Sequence, residues 1–142
     1  MTTNIAPAAH QQKPPIVLSA GDYERLSGLA YVAMNRMPSL AAALTEELER
    51  AQVLPKGRQP EHIVYMNSEV EFRNDNSGRI QKVTLVYPGD ADISEGKVSV
   101  LTPVGTALIG LRTGQSITWE TPTGEVRQLT VLEVRDAAPT GA

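Results

Sequence analysis

The sequence has no cysteine and only two histidines, so the candidates for metal binding or proton transfer are mainly its Asp and Glu side chains. Asp90, Asp92 and Glu95 lie close enough together to suggest a divalent cation site. Their segment lacks the pattern of a calcium-binding loop, however, and is more typical of a solvated acidic turn. His10 and His62 have no partners at metal-ligand spacing. We therefore predict no catalytic residue, no metal and no cofactor, so the protein should not be an enzyme.

The elements that carry these residues fall into a helical part and a strand-rich part. In the helical part, Ser19 and Asp22 approximate a capping box, and apolar residues then recur at steps of three and four. Pro38 should end the first helix, and Ser39 can cap a second one with the same spacing. The two apolar seams consist of Tyr23, Leu26, Ala30, Ala33 and Met37, and of Ala41, Leu44, Leu48 and Ala51. We predict a short antiparallel helical hairpin, a coiled coil over residues 19–53.

The strand-rich part follows a linker at residues 54–61, where two prolines and a glycine break the helical pattern. Strands are predicted over residues 62–72, 79–87, 97–101, 116–120 and 126–135, with turns at 74–78 and 121–124. Their predicted core consists of Val70, Phe72, Ile80, Val83, Leu85, Val98, Val100, Ile117, Trp119, Leu129, Val131 and Val134. The fold class is therefore α+β, with a mostly antiparallel β-domain over residues 62–136. Residues 1–18 and 137–142 are predicted to be a flexible arm and a flexible tail.

Charge and hydropathy exclude several kinds of partner. Six basic and five acidic residues precede position 61, whereas seven basic and eleven acidic residues follow it, which gives the net charge of −3. Because the basic residues are scattered and the β-domain is acidic, direct nucleic-acid binding is not expected. No apolar run approaches the roughly 20 residues of a membrane helix, and the N-terminus lacks the pattern of a signal peptide. We predict a cytoplasmic protein with no membrane contact.

One segment is more informative than the rest. Residues 98–111, VSVLTPVGTALIGL, begin as a strand, break at Pro103 and Gly105, and make about one helical turn before Gly110. The segment resembles the C-terminal domain of the transcript cleavage factors GreA and GreB, and more closely that of their relatives in the Rnk family, named as regulators of nucleoside diphosphate kinase. Three further stretches match in the same order and spacing: MNSEV at 66–70, TLVYP at 84–88 and GQSITWE at 114–120.

This resemblance implies an FKBP-like fold for the β-domain, with the short helix at residues 105–110 packed across the sheet. It also implies a partner, because the C-terminal domain of Gre factors docks on a coiled coil at the rim of the RNA polymerase secondary channel. The residues that match this contact region are Ser99, Thr102, Pro103, Val104, Gly105 and Thr106.

The hairpin differs from its counterpart in Gre factors. Those proteins place a longer coiled coil in the channel, and two acidic residues at its tip help to hold a catalytic Mg²⁺. The matching tip here consists of Asn35, Arg36, Met37 and Pro38, and no Asp or Glu occurs between Glu24 and Glu46. The resemblance therefore predicts a hairpin that does not deliver a metal ion.

Three functions follow from these observations. The first is a non-catalytic transcription regulator that binds core RNA polymerase near the secondary channel and competes with Gre-type cleavage factors. The second, suggested by the family name, is a direct or indirect effect on the level or activity of nucleoside diphosphate kinase. A further form of the first is a polymerase binder that still assists cleavage or fidelity, although the missing tip carboxylates argue against it. The third is a prolyl isomerase, which rests on fold analogy alone. The alternation of inward and outward side chains along the strands argues against the isomerase, because it places Phe72 and Trp119 in the hydrophobic core as ordinary core residues.

Overall fold

The N-terminal part of the chain is a helical hairpin. A computed structural model describes residues 14–58, 61–120 and 123–136 of the protein. Helix α1 spans Ala20–Ala33 and helix α2 spans Pro38–Arg50. The backbone N–H of Asp22 donates a hydrogen bond of 3.2 Å to the Ser19 hydroxyl, which caps α1 as predicted.

Helix α2 begins earlier than predicted. Pro38 lies in its first turn and Met37 is its N-cap residue, without a side-chain capping hydrogen bond, so the predicted cap at Ser39 is wrong. Proline suits the first helical position because an N–H there would have no partner within the helix. The fixed φ of proline also fits the helix. Pro38 therefore starts the second helix, whereas the first ends at Ala33.

The predicted apolar seam lies between the two helices. Its six central residues are buried: Leu26, Ala30 and Ala33 of α1, and Ala41, Leu44 and Leu48 of α2. Tyr23 and Ala51 are partly buried and pack against this cluster. Met37 remains 45% exposed because it lies at the turn, where no partner helix faces it.

A two-stranded parallel sheet closes the base of the hairpin. Strand β1, Ile16–Leu18, pairs with strand β2, Ala51–Val53, and all three residues of β1 are buried. The prediction of a flexible arm over residues 1–18 is therefore wrong for its last three residues. They form a strand because it buries apolar side chains and supplies hydrogen-bond partners for the backbone. Residues 1–13 of the predicted arm, and the predicted tail at 137–142, lie outside the described residues.

The C-terminal part is a five-stranded sheet with the order β5-β4-β3-β7-β6. The strands are β3 (Ser68–Asn74), β4 (Ile80–Val86), β5 (Lys97–Ser99), β6 (Ser116–Glu120) and β7 (Val126–Asp136). Neighbouring strands are antiparallel except for β4 and β5, which are parallel. Strand β3 begins six residues later than the predicted position 62, since His62 and Asn67 have positive φ values of 61° and 71° that interrupt an extended backbone.

Short helices and turns connect these strands. Two 3₁₀ turns, Pro88–Asp90 and Ile93–Glu95, lie between β4 and β5. Helix α3 spans Pro103–Leu108, two residues earlier than predicted, because Pro103 occupies its first turn. Part of the turn predicted at 121–124 lies outside the described residues, which resume at 123.

One hydrophobic core runs through the hairpin and the sheet. The backbone N–H of Val17 in β1 donates a hydrogen bond of 3.2 Å to the carbonyl oxygen of Gly110. Gly110 has a φ of +80°, and a Cβ atom built there would lie 2.7 Å from the Cβ of Ile16. Glycine is therefore required where the loop after α3 meets β1, and this contact attaches the hairpin firmly to the β-domain.

The core differs from the prediction at its edges. Ile80 is 59% exposed because it lies at the outer start of β4, so its assignment to the core is wrong. Val64, Ile109 and Leu111 are fully buried, although they lie in connecting segments rather than in strands.

Within the described ranges, no helix is long and apolar enough to cross a membrane.

Candidate functional site

The hairpin tip is exposed and apolar, with a single charged residue. Asn35, Arg36, Met37 and Pro38 all lie at the surface. Three neighbouring residues of the outer hairpin are also strongly exposed, Tyr31 by 79%, Val32 by 70% and Met34 by 58%. Exposed apolar side chains that cluster in this way are typical of surfaces that contact a partner.

The segment from β5 to α3 is held by its own hydrogen bonds. The Thr102 hydroxyl donates to the carbonyl oxygen of Ser99 at 2.7 Å and accepts from the N–H of Gly105 at 3.0 Å, so it caps α3. The Ser99 hydroxyl accepts from the N–H of Leu101 at 3.0 Å. Ser99 and Thr102 are each partly exposed, so they can reach a partner while they hold the loop.

Gly105 and Thr106 have an internal role. A Cβ atom at Gly105 would lie 2.1 Å from the carbonyl oxygen of Ser99, so only glycine fits where α3 crosses the end of β5. Thr106 is 4% exposed, and its hydroxyl donates to the carbonyl oxygen of Val100 at 2.7 Å. These two residues shape the segment from inside, and their contact with a partner stays a prediction.

Pro103 and Val104 are among the residues that line a cavity of about 230 Å³. Its apolar wall includes Phe72, Trp119 and Leu129. Phe72 is buried, as predicted, whereas Trp119 is only partly buried, and its indole N–H has no hydrogen-bond partner among the described residues. Pro103 and Val104 are therefore the accessible apolar part of the predicted contact region.

A second concave surface, here called the junction groove, lies where helix α1 meets the end of β4. It is lined by Arg25, Gly28, Leu29, Val32 and Tyr87. The guanidinium carbon of Arg25 lies 5.6 Å from the centroid of the Tyr87 ring. The Tyr87 hydroxyl is buried beside this guanidinium. This groove could not be predicted from the sequence because α1 and β4 meet only in the folded protein.

The charges at this junction are partly buried. Burial raises the pKa of the Asp22 carboxyl above its ordinary value, although the N–H of Met66, 3.0 Å from Oδ2, and the nearby Arg25 oppose the shift. Burial also raises the pKa of the Tyr87 hydroxyl, and the Asp22 carboxylate adds to this effect while Arg25 opposes it. Asp22 thus links the hairpin to the β-domain at some electrostatic cost.

The raised pKa of Asp22 predicts that the stability of the folded protein depends on pH. Because the pKa of Asp22 is higher in the folded protein than in the unfolded chain, the folded protein takes up the proton first as the pH falls. Wild-type protein should therefore gain stability relative to Asp22→Asn between pH 7 and about pH 4, near the ordinary Asp pKa. Urea unfolding of both proteins at several pH values measures the difference. A difference in unfolding free energy that does not change with pH would contradict the prediction.

The acidic segment forms an ordered turn. The Asp92 carboxylate accepts hydrogen bonds from the hydroxyl and the N–H of Ser94 at 2.6 and 3.1 Å. The hydroxyl bond is the main reason that the pKa of Asp92 lies below its usual range. Within residues 14–58, 61–120 and 123–136, no three His, Asp or Glu side chains lie close enough together to hold a metal ion. Asp92 therefore serves as the cap of the Ile93–Glu95 turn.

Two family models match successive parts of the chain. The model described as "Rnk N-terminus" matches residues 14–54. The model described as "Transcription elongation factor, GreA/GreB, C-term" matches residues 59–136 and covers the whole five-stranded sheet. The boundary between the two matches falls just after β2.

Individual relatives agree with the family models. The regulator of nucleoside diphosphate kinase of Escherichia coli K12 is 42% identical over 122 residues, which cover 86% of this chain and 90% of the relative. GreA of Roseiflexus castenholzii is 33% identical over 122 residues, which cover 84% of this chain and 73% of that protein. Both matches include most of the chain, so the similarity extends beyond the β-domain.

A solved structure supports the fold. The prokaryotic transcription elongation factor GreA/GreB from Nitrosomonas europaea is 41% identical, with a TM-score of 0.66 over 87% of this chain and 99% of that one. The α+β class, with a helical N-terminus and a curled sheet, is thus confirmed. This chain belongs to the Rnk family of regulators and carries the C-terminal domain of the GreA and GreB elongation factors.

Proposed function

We propose that this protein binds core RNA polymerase near the secondary channel and competes with Gre-type cleavage factors without cleaving RNA. The observation that carries the proposal is the tip of the hairpin, where Asn35, Arg36, Met37 and Pro38 are exposed and carry no carboxylate. Mg²⁺ prefers oxygen ligands, and a two-metal mechanism of phosphodiester hydrolysis needs such ligands at the reacting atoms. Arg36 supplies the opposite charge, so the tip occupies space in the channel without recruiting a metal ion.

The β-domain supplies the second contact in this proposal. Pro103 and Val104 present apolar surface beside the cavity, and Ser99 and Thr102 are partly exposed next to them. Their backbone is fixed by the Thr102 cap, so little conformational entropy is lost when a partner binds. We propose both this contact region and an FKBP-like arrangement of the β-domain.

Binding of labelled protein to core RNA polymerase, with unlabelled GreA or GreB as competitor, tests the proposal. We expect saturable binding that the cleavage factor displaces, together with inhibition of factor-stimulated transcript cleavage. Absence of binding at micromolar concentrations would overturn the proposal. Transcript cleavage by polymerase when this protein is the only factor added would also overturn it.

Grafting carboxylates onto the tip tests whether hairpin length also matters. Helix α1 has 14 residues and is therefore only about 21 Å long. The double variant Asn35→Asp/Arg36→Glu should bind polymerase but stimulate no transcript cleavage, because its carboxylates stay too far from the active centre. Transcript-release assays on stalled elongation complexes measure this effect. Robust cleavage by the double variant would refute the length argument.

A role toward nucleoside diphosphate kinase is the second candidate function, because the Escherichia coli relative is named as a regulator of that enzyme. Titration of the purified kinase with this protein would reveal a direct effect as a change in activity or as complex formation. If neither occurs, any effect in cells must pass through gene expression. Isomerase activity is not expected, and a prolyl-peptide isomerisation assay should remain at the uncatalysed rate despite the cavity beside Trp119.

A further inference from the structure

The cavity beside α3 lies between the first turn of that helix and the face of the sheet that carries the core. Pro103 and Val104 line it from the helix. Leu129 and Arg127 are two positions apart on β7, so their side chains share one face of the sheet. Trp119 of β6 pairs directly with Arg127 and also lines the cavity. The cavity therefore adjoins the hydrophobic core near the paired ends of two strands.

The size and the walls of the cavity suit a single apolar ring with a short chain. Apolar cavities of about 150 Å³ bind benzene, whereas sites for drug-sized ligands occupy about 300 Å³ or more. The cavity, at about 230 Å³, lies between these sizes. Its walls include the aromatic side chains of Phe72 and Trp119 and the aliphatic side chain of Leu129. Phe72 and Leu129 are buried in the core, so a ring that enters would meet a wall that is already formed.

Two of the polar side chains that line the cavity already have partners. The amide oxygen of Asn74 accepts hydrogen bonds from two backbone N–H groups of the following turn, at 2.9 and 3.3 Å. The amide nitrogen of Gln128 donates to the Asp75 carboxylate at 2.9 Å. Both amides are therefore engaged within the protein.

Arg127 and Trp119, in contrast, retain donors. Among the described residues that line the cavity, Arg127 is the one that carries a charge. A guanidinium has five N–H donors, and the described contact of Arg127 is between Nη2 and Glu125 Oε1, at 2.6 Å. An ion pair at the surface is weak, so a ligand carboxylate can share or replace this contact. The neighbouring indole N–H of Trp119 has no partner in the described residues, so the site offers donors to a negatively charged acceptor.

We propose that this cavity binds a small amphipathic acid, whose apolar ring fills the space lined by Phe72 and Val104 and whose carboxylate binds Arg127. The C-terminal residue of a peptide offers the same chemistry when its side chain is apolar, because it also joins an apolar group to a carboxylate. The inference goes beyond the proposed function and does not rest on it, since the free protein suffices to test it.

Trp119 makes the test direct, because it is the one tryptophan of the chain and lines the cavity. Titration with 4-phenylbutyrate should change the tryptophan emission in a saturable way and raise the melting temperature, since the ligand binds the folded protein. The uncharged analogue 4-phenylbutan-1-ol should bind about tenfold more weakly, because it lacks the charged hydrogen bond. Arg127→Gln should abolish this difference by weakening the binding of the acid alone.

A pair of valines tests whether the ligand enters the cavity. Val104→Phe fills part of the cavity, whereas Val126→Phe adds the same ring to the opposite face of β7, where Val126 is 60% exposed. Val104→Phe should weaken the binding of 4-phenylbutyrate by about tenfold or more, and Val126→Phe should leave it within about twofold. Thermal unfolding of each variant without ligand verifies that it is folded.

Three results would each overturn the inference: no saturable binding of 4-phenylbutyrate at millimolar concentrations, equal affinities for the acid and the alcohol, or unchanged binding by folded Val104→Phe. None of them bears on polymerase binding, so the proposed function stands or falls separately. A short peptide with a C-terminal phenylalanine, with a free carboxylate or as the amide, distinguishes the two sources of the ligand. Tighter binding of the peptide acid than of 4-phenylbutyrate would assign the site to a chain terminus, and the reverse order would assign it to a free small acid.

Discussion

Alanine at position 105 should lower the free energy of unfolding by about 3 kcal/mol or more. An added Cβ would lie 2.1 Å from the carbonyl oxygen of Ser99 and 2.8 Å from the Cα of Val100. Both are backbone atoms, so neither can rotate away as a flexible side chain could. Helix α3 must move away from the end of β5, and this movement strains the Thr102 cap and the hydrogen bond from Thr106 to Val100.

Urea unfolding of Gly105→Ala measures this effect, and Gly28→Ala is its matched control. Gly28 also lies in a helix, but its Cβ position is open. Because glycine is a poor helix former, Gly28→Ala should raise the free energy of unfolding by up to about 1 kcal/mol. The two identical substitutions should therefore change stability in opposite directions. A small loss for Gly105→Ala, similar in size to the effect at Gly28, would show that the packing argument is wrong.

Arg50→Met should cost about 3 kcal/mol of unfolding free energy, because it removes a cation that pairs with a buried carboxylate. Glu47 is 2% exposed, and its Oε1 atom accepts a hydrogen bond from Arg50 Nη2. Arg50 Nε also donates to the carbonyl oxygen of Pro14 at 3.0 Å, which ties the segment before β1 to α2. We place the expected loss at the lower end of the range for buried pairs because Arg50 is itself partly solvated.

Guanidinium chloride or urea unfolding of Arg50→Met gives the stability change, with Arg36→Met as the control. Arg36 is exposed at the hairpin tip, so its replacement should alter stability by no more than about 0.5 kcal/mol. Adding Glu47→Gln to Arg50→Met should restore part of the loss, because the buried side chain then carries no charge. If Arg50→Met proves as harmless as Arg36→Met, the ion pair does not stabilise the base of the hairpin.

Regular repeats made the hairpin predictable from the sequence. Steps of three and four residues determine which face of a helix is buried, and six of the nine predicted seam residues are buried for that reason. Strand β1 was not predicted because three residues are too few to show a strand periodicity. Its partner β2 also lies some 35 positions away in the sequence. Pairing over that distance is decided by the shared core rather than by local sequence.

The candidate sites were predictable to different degrees. Resemblance to a known family located the segment around Pro103, but it could not distinguish exposed Pro103 from buried Thr106, since both stand in the same motif. Burial at that point depends on how α3 lies against the end of β5. The junction groove was not predictable at all, because Arg25 and Tyr87 are 62 positions apart and neither belongs to a local chemical pattern.

The parallel strands β1 and β2 also have a consequence for how this family can vary. Ile16 lies opposite Ala51, so the chain leaves the body of the protein and returns to it at one fixed place. The hairpin is in this sense a cassette between two anchored ends. Inserting one heptad into each helix would keep the seam on the same face and lengthen the hairpin by about 10 Å. The reach of the hairpin can thus be changed, by evolution or by design, without altering the sheet that carries it.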